Sequence, residues 1–171
     1  MPTPTVPRVV TPRLLLREWR ASDAEPHAAM CADPEVMRHL GGTLDGPDSG
    51  RRMAEHAGHW TARGYGKWAV ERRDTGEWIG RVGLWDPPDW PEVEVGWTLA
   101  RAAWGHGYAT EAATAAIEWA WAELACRRVV SLIERDNAAS IRVARRLDMR
   151  QLPAAETATT DLLVFALDRP A

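Results

Sequence analysis

The residues best placed to do chemistry in this chain are Gly105, His106, Gly107, Tyr108, Ala109 and Thr110. Two glycines without Cβ atoms flank a histidine, so another group can come close to the backbone. Before them, Val93, Val95 and Trp97 alternate with Glu94, Gly96 and Thr98, the pattern of a half-buried strand. After them, Ala109, Ala113, Ile117, Ala120, Trp121 and Leu124 recur three or four apart, which predicts a helix to about Leu124 with Glu111, Glu118 and Glu123 elsewhere on the wheel. No Ser, Asp or Asn stands just before this helix to cap it. Its first N–H groups are therefore unclaimed, and at the positive end of a helix dipole they suit an anion such as a phosphate. The same strand, turn and helix also occur where glycines merely permit tight packing, so both readings stand on this stretch alone. A Walker loop is absent, and the third glycine of a dinucleotide fingerprint is replaced by Thr110.

His56 and His59 are three apart on a second predicted helix, but no carboxylate or Cys joins them at a ligand spacing. They are expected on a solvated face, and no metal site is expected. Arg142, Arg145 and Arg146 are likewise expected on an exposed face.

The remaining elements must position that loop. Residues 1–12, rich in Pro and Thr, are expected to be extended, and Leu14 to Trp19 to form a first strand. Ser22-Asp23-Ala24-Glu25 reads as a capping-box start for a helix through about Cys31. Asp33-Pro34 opens a short helix ending at Gly41-Gly42. Asp48 or Ser49 is expected to cap a helix to about Arg63, closed by Gly64. Gly66–Arg73 and Glu77–Trp85 flank Asp74-Thr75-Gly76 as a hairpin, and the Pro-rich loop 86–91 cannot join a ladder. A strand is predicted over Arg127–Ile133. A helix follows from Asn137 with Ile141, Ala144 and Leu147 on one face, and a closing strand pair lies at Met149–Leu152 and Asp161–Leu167. With one β-α-β unit (93–133), the fold class is α/β or α+β, a single domain over 1–171 with a mixed sheet.

Composition limits the partners. A net charge of -3 argues against nucleic acid or an anionic membrane surface as the main partner. Cys31 and Cys126 form no CxxC pair and read as reduced thiols of a cytoplasmic protein. The N-terminus lacks the apolar segment of a signal peptide, and no run approaches the ~20 residues of a membrane span. Ten tryptophans are many for this length, and most are expected in the core or on half-buried strands.

Trp-Gly-His-Gly-Tyr-Ala-Thr-Glu-Ala (104–112), followed by Asn-Ala-Ala-Ser-Ile-Arg-Val (137–143), resembles the GNAT superfamily of N-acetyltransferases. Thr-Pro-Arg-Leu-Leu-Leu-Arg (11–17), Asp-Pro-Glu-Val-Met-Arg-His-Leu-Gly (33–41) and Gly-Tyr-Gly-Lys-Trp-Ala-Val (64–70) resemble its ribosomal-protein N-terminal branch, of RimJ/RimL type. The patches occur in order over nearly the whole chain. The resemblance implies a sheet of about six to seven strands with a splayed central pair, and acetyl-CoA as co-substrate without a metal. It implies that Gly105, His106, Gly107, Tyr108, Ala109 and Thr110 bind the pyrophosphate. The pantetheine chain would pair with the free edge at Trp97, Thr98 and Leu99, and Asn137 would lie against the pantetheine or thioester. A CoA phosphate is the second reading for Arg142, Arg145 and Arg146. Two departures stand out. The Tyr that serves many members as general acid is replaced by Ala144, leaving Ser140 as donor to the departing sulfur. The usual Leu-Gly-Phe helix end is Leu147-Asp148-Met149, an exit that Asp tolerates less well than Gly.

The implied reaction moves an acetyl group from a thioester to a primary amine. A Lys-like amine has a pKa of ~10.4 and an α-amine ~7.7–8.0, so a carboxylate must take a proton. Glu94 is the first choice and Glu92 the second; a solvated strand face is the plain alternative for Glu94, and a simple N-cap for Asn137. Backbone N–H groups from Trp97 to Leu99 would serve the oxyanion. The acceptor is a protein or peptide N-terminus or a small amine. Asp86, Asp89, Glu92 and Glu94 suggest attraction of a cationic one. A homodimer stays open, and so does a non-catalytic acyl-CoA sensor.

Overall fold

The computed structural model describes residues 5–86, 92–156 and 161–171. Thirteen elements carry the site: β1 (Val9–Val10), β2 (Leu14–Arg17), α1 (Ala24–Ala32), α2 (Pro34–Met37), α3 (Gly46–Arg63), β3 (Lys67–Arg72), β4 (Trp78–Trp85), β5 (Glu94–Leu99), α4 (Tyr108–Glu123), β6 (Arg128–Glu134), α5 (Ala138–Arg146), β7 (Arg150–Gln151) and β8 (Leu162–Asp168). The strands form one mixed sheet of eight in the order β1-β2-β3-β4-β5-β6-β8-β7. Six to seven were expected. The additional strand, β1, lies in the N-terminal segment, where Val9 and Val10 pair with Leu16 and Leu15. Every neighbouring pair is antiparallel except β5 and β6. These two are joined by α4, as a parallel pair requires.

Helix α4 packs on one face of the sheet against β4 and β5, and α1 and α3 pack against each other and reach β4 and β3 from elsewhere. Ala112, Ala113, Ala116 and Ala120 of α4 are fully buried. Their short side chains let the helix approach the strands closely, which brings its first turn beside the end of β5. The core around it includes Leu14, Leu16, Trp68, Val70, Val82, Leu84, Val95 and Phe165. Trp60 and Trp119 stand edge-on to Trp68, with centroids 4.7 and 5.3 Å away, and Trp104 is the exposed exception among the described tryptophans. Among the described residues, no helix is long and apolar enough to cross a membrane.

Two predicted helix starts differ, and α2 ends at Met37 rather than at Gly41-Gly42. Ser22 does not open α1. Instead Asp23 accepts the Arg20 N–H at 2.8 Å and pairs with Arg17, both side chains being almost fully buried. Arg17 also meets Glu71 at 2.7 Å, so one guanidinium fixes the exit of β2 to β3. Removing one partner of such a buried pair costs about 3–5 kcal/mol. Helix α3 is capped by Asp45 rather than Asp48 or Ser49: the Asp45 carboxylate accepts the Asp48 N–H, with Pro47 in the first turn. Proline there gives up no helix bond, so the earlier start is favourable. Asp148 adopts φ +59 and closes α5 as glycine would, with Met149 N–H bonding the Ala144 carbonyl and Asp148 N–H the Arg145 carbonyl.

His56 and His59 do not face solvent; they are 2% and 9% exposed. With Ser49 and Trp60 they form the inward stripe of α3. His27 on α1 is fully buried, its Nδ1 2.9 Å from the Ser49 hydroxyl. Burial first, then the charges of Arg81 and Arg52, push its pKa down to about 4. An unfolded His titrates near ~6.5. Between those values the unfolded chain binds more protons than the folded one, so stability rises with pH in this window. It is expected to be lost as pH falls through 6.5 toward 4, by on the order of 3 kcal/mol from His27 alone. Denaturant titrations at stepped pH should show this slope, and His27→Gln should flatten it.

Candidate active site

Gly107 is the N-cap of α4, with φ +79, and no side chain caps the helix. Its carbonyl receives the Glu111 N–H at 3.1 Å, which closes the first turn. The N–H groups of Tyr108, Ala109 and Thr110 precede that bond and have no partner within the helix. The loop is shaped from behind by Arg13. Its guanidinium donates to the His106 carbonyl at 2.9 Å and to Glu111 at 2.7 Å, and lies 4.6 Å over the Tyr108 ring. Burial works against the Glu111 carboxylate, but bonds from Thr11 and Arg13 more than offset it and hold its pKa below the usual range. Trp104 Nε1 donates to the Leu99 carbonyl at 2.9 Å and ties the loop to the end of β5.

Strands β5 and β6 pair only at Glu94↔Val130, then part. The β4–β5 register decides what faces the gap. Gly80 and Leu99 are opposite, and the Ala100 N–H bonds the Ile79 carbonyl, so Gly80–Leu99 is a non-hydrogen-bonded pair. By alternation, Glu94, Gly96 and Thr98 spend their backbone groups on β4, whereas Val95, Trp97 and Leu99 turn theirs toward the gap. The Val95 carbonyl is taken by Ser131 Oγ at 2.6 Å. The Trp97 peptide is thus the central edge group of the opening.

Two cavities meet there. The larger, about 630 Å³, runs from Gly105 and Gly107–Thr110 past Trp97–Leu99 to Asn137–Ser140, with Arg142 and Arg146 on its wall. The smaller, about 520 Å³, is lined by Arg52, His56, Lys67, Arg81, Trp85 and Glu94 among others. His39, Leu40, Trp97, Thr98, Asn137 and Ser140 line both. Asn137 caps α5 by accepting the Ser140 N–H at 3.1 Å, so its amide oxygen is engaged. Trp97 Nε1 lies 3.3 Å from Ser140 Oγ. Ser140 accepts that bond and keeps its own proton to donate. Ala144 is fully buried, away from the opening.

Of the residues singled out in the sequence, Trp97, Thr98, Leu99, Gly105, Gly107, Tyr108, Ala109, Thr110, Asn137 and Ser140 line the larger cavity, and Glu94 the smaller. His106 stands apart: its exposed side chain stacks on Tyr108 and lines neither cavity. Glu92 is exposed and also lines neither. The four acids suggested as an acidic surface are placed differently from one another. Asp86 accepts the Tyr65 hydroxyl at 2.6 Å, Asp89 lies outside the described residues, and Glu94 shares its cavity with three cations.

Those cations escaped the sequence reading. Burial pushes the Lys67 ammonium down to about 7, with Arg81 adding to the shift and Glu94 opposing it. Burial likewise lowers Arg81 to about 10. Arg81 donates to His56 Nε2 at 2.7 Å. Burial, then Arg81, hold His56 well below its ordinary pKa, so it is neutral. At the junction, His39 Nδ1 lies 2.7 Å from Glu134 and 3.6 Å from Asp136. A signal was available for Arg81, which stands in Ile-Gly-Arg-Val-Gly-Leu (79–84), an otherwise apolar strand.

The model of the acetyltransferase (GNAT) domain matches residues 13–150. The chain belongs to the GNAT family. It is an N-acetyltransferase, as are relatives such as YoaA of Bacillus subtilis (strain 168) by name. YkkB of Bacillus subtilis (strain 168) is 34% identical over 152 residues, covering 83% of this chain and 84% of YkkB. An acetyltransferase crystal structure from Agrobacterium tumefaciens is 31% identical with a TM-score of 0.88, covering 96% of each chain. RimL, a ribosomal-protein alpha-N-acetyltransferase solved in complex with coenzyme A, shares the fold at 18% identity and a TM-score of 0.75, covering 94% of this chain and 96% of RimL.

Proposed function

We propose that this GNAT enzyme carries acetyl-CoA in the larger cavity and acetylates a primary amine presented in the smaller one. The observation that carries the reading is the meeting of the two cavities at the Trp97 edge, between an uncapped helix terminus and a carboxylate. The residues fit the donor. The first-turn N–H groups of α4 suit a pyrophosphate, Arg142 and Arg146 on the wall supply further positive charge, and the Trp97 edge can accept an extended amide-bearing arm as a strand would. Acetyl-CoA, when bound, supplies an acetyl group activated as a thioester.

The chain's own groups then divide the work. Glu94 takes the proton of the incoming amine, directly or through water. The Trp97 N–H turns toward the gap and stabilises negative charge on the carbonyl oxygen. Ser140, held by Trp97 Nε1, donates to the departing sulfur. A thiol with a pKa of ~8.5 leaves readily, so the absence of a Tyr at Ala144 does not abolish turnover. The Asn137 amide nitrogen, the end not used in capping, orients the arm. The acceptor is a peptide N-terminus or a small amine, and positioning supplies much of the rate.

Titration with acetyl-CoA should show one saturable site that ATP, which lacks the pantetheine arm, does not clear at equal concentration. Full displacement by ATP would make the helix terminus a nucleotide site and overturn the reading.

A further inference from the structure

Lys67 is the only lysine in the sequence; every other member of its 21 Lys and Arg residues is an arginine. A guanidinium stays charged at any ordinary pH, whereas a lysine can give up its proton and become a nucleophile. This one side-chain amine lines the smaller cavity, and strand register puts it there. Lys67 of β3 stands opposite Gly83 of β4, and Gly83 stands opposite Gly96 of β5. Opposite residues in a ladder share a face, so the lysine faces two positions in a row that carry no side chain. At the first of these a Cβ would meet the Gly66 carbonyl oxygen at 2.5 Å and the Lys67 Cα at 2.8 Å, so Gly83 must stay bare. The Lys67 arm crosses this lane to β5: a Cβ on Gly96 would sit 3.6 Å from its Cε and 3.2 Å from its Nζ. Gly96 directly precedes Trp97, whose peptide is the central edge group of the β5–β6 opening. Several groups face the amine. Burial, Arg81 of β4 and Arg52 of α3 favour its neutral form, and Glu94 of β5 favours the ammonium. Glu55 and the neutral His56 line the same cavity from α3, His39 and Glu134 line it elsewhere, and the Trp85 ring centroid lies 5.7 Å from Nζ.

We propose that Lys67 is a self-acetylation site: with acetyl-CoA bound and the smaller cavity free of acceptor, its Nζ takes the acetyl group. This rests on the reading of the two cavities as donor and acceptor sites. The Nζ lone pair attacks the thioester carbonyl carbon. An N–C bond forms, the C–S bond breaks, and its electron pair leaves with the sulfur. Nζ loses one proton and the sulfur gains one, so one coenzyme A thiol appears for each amide formed. The amide is uncharged and does not pass its acetyl group on. The modified chain therefore holds an acetyl group in the acceptor's place, and an acceptor amine in the cavity competes with the step.

Acetyl-CoA alone is the probe. The wild-type protein is incubated with it in the absence of any added amine, and intact mass, peptide mapping and thiol release are followed together. Calorimetry with coenzyme A, which carries no acetyl group to transfer, measures binding separately. One added acetyl group per chain is expected, on Lys67 and not on the α-amino group, with one thiol released. The rate should saturate with acetyl-CoA and stay constant on dilution of the protein. It should exceed that of the same lysine in the urea-unfolded chain by at least about 100-fold at equal pH. In the folded protein the rate should level off above about pH 7, whereas in the unfolded chain it should climb toward ~10.4. Gly107→Asp should suppress the reaction, and Lys67→Arg should show no added mass. Coenzyme A binding without acetyl on Lys67 overturns the proposal and leaves the functional reading standing. So does labelling confined to the α-amino group, a rate no faster than in the unfolded chain, or a rate that falls on dilution, which would place the reaction between chains. Failure of coenzyme A to bind overturns the functional reading and the proposal with it.

Discussion

Gly107→Asp is expected to weaken acetyl-CoA binding by at least ~100-fold, equivalent to about 2.7 kcal/mol, while the protein still folds. Gly107 sits at φ +79, in the left-handed region. Asp enters that region at a cost of about 1 kcal/mol, less than other side chains require. A Cβ at this position meets Arg13 Nη2 at 3.5 Å, an ordinary contact. The new carboxylate instead acts where the pyrophosphate is proposed to lie. It competes for the first N–H groups of α4 and repels a charged ligand through a short distance. Calorimetry beside a melting curve separates the two effects. Unchanged affinity in a folded variant would remove the anion from the α4 terminus. Collapse of both would leave the site untested by this variant, and Gly107→Ala, without the charge, serves as the steric control.

Glu94→Gln is expected to lower kcat/KM by about 10²–10³-fold near neutral pH, the range of a positioned base, with acetyl-CoA affinity unchanged. The loss should shrink as pH rises toward the acceptor's own pKa, ~7.7–8.0 for an α-amine and ~10.4 for a Lys-like one. Above that value the amine arrives deprotonated and needs no base. Profiles of kcat/KM against pH for both proteins would show the curves converging. Parallel curves, displaced by a constant factor, would assign Glu94 to charge balance with Lys67 rather than to proton transfer. Coincident curves would remove it from the reaction.

What the sequence reveals is what is local. The α4 start was legible because the strand, the glycines and the missing cap lie within one stretch. The splay of β5 and β6 entered only through resemblance, since it depends on Val130, far along the chain, ceasing to pair after Glu94. The α3 cap moved from Asp48 to Asp45 because two carboxylates compete there and Pro47 favours the earlier start. The spacing of His56 and His59 alone puts them on one face of α3 without saying which way that face points. With Ser49 and Trp60 they trace an inward stripe at helical spacing. Lys67 and Arg81 could not be joined to Glu94 from spacing, because three different strands bring them to one floor. Asp148 raised a doubt that the backbone answers: a left-handed Asp still closes α5.

The central claim is that the two cavities serve one acetyl transfer. Its most direct measurement follows free thiol and acetylated amine together, by colour and by mass, in one reaction containing the protein, acetyl-CoA and a mixed set of amines. Thiol and N-acetyl product are expected to appear in equal amounts, both strongly reduced by Gly107→Asp at sub-saturating acetyl-CoA and slowed by Glu94→Gln. Saturable acetyl-CoA binding with no product from any amine would contradict it and leave a protein that only holds the coenzyme.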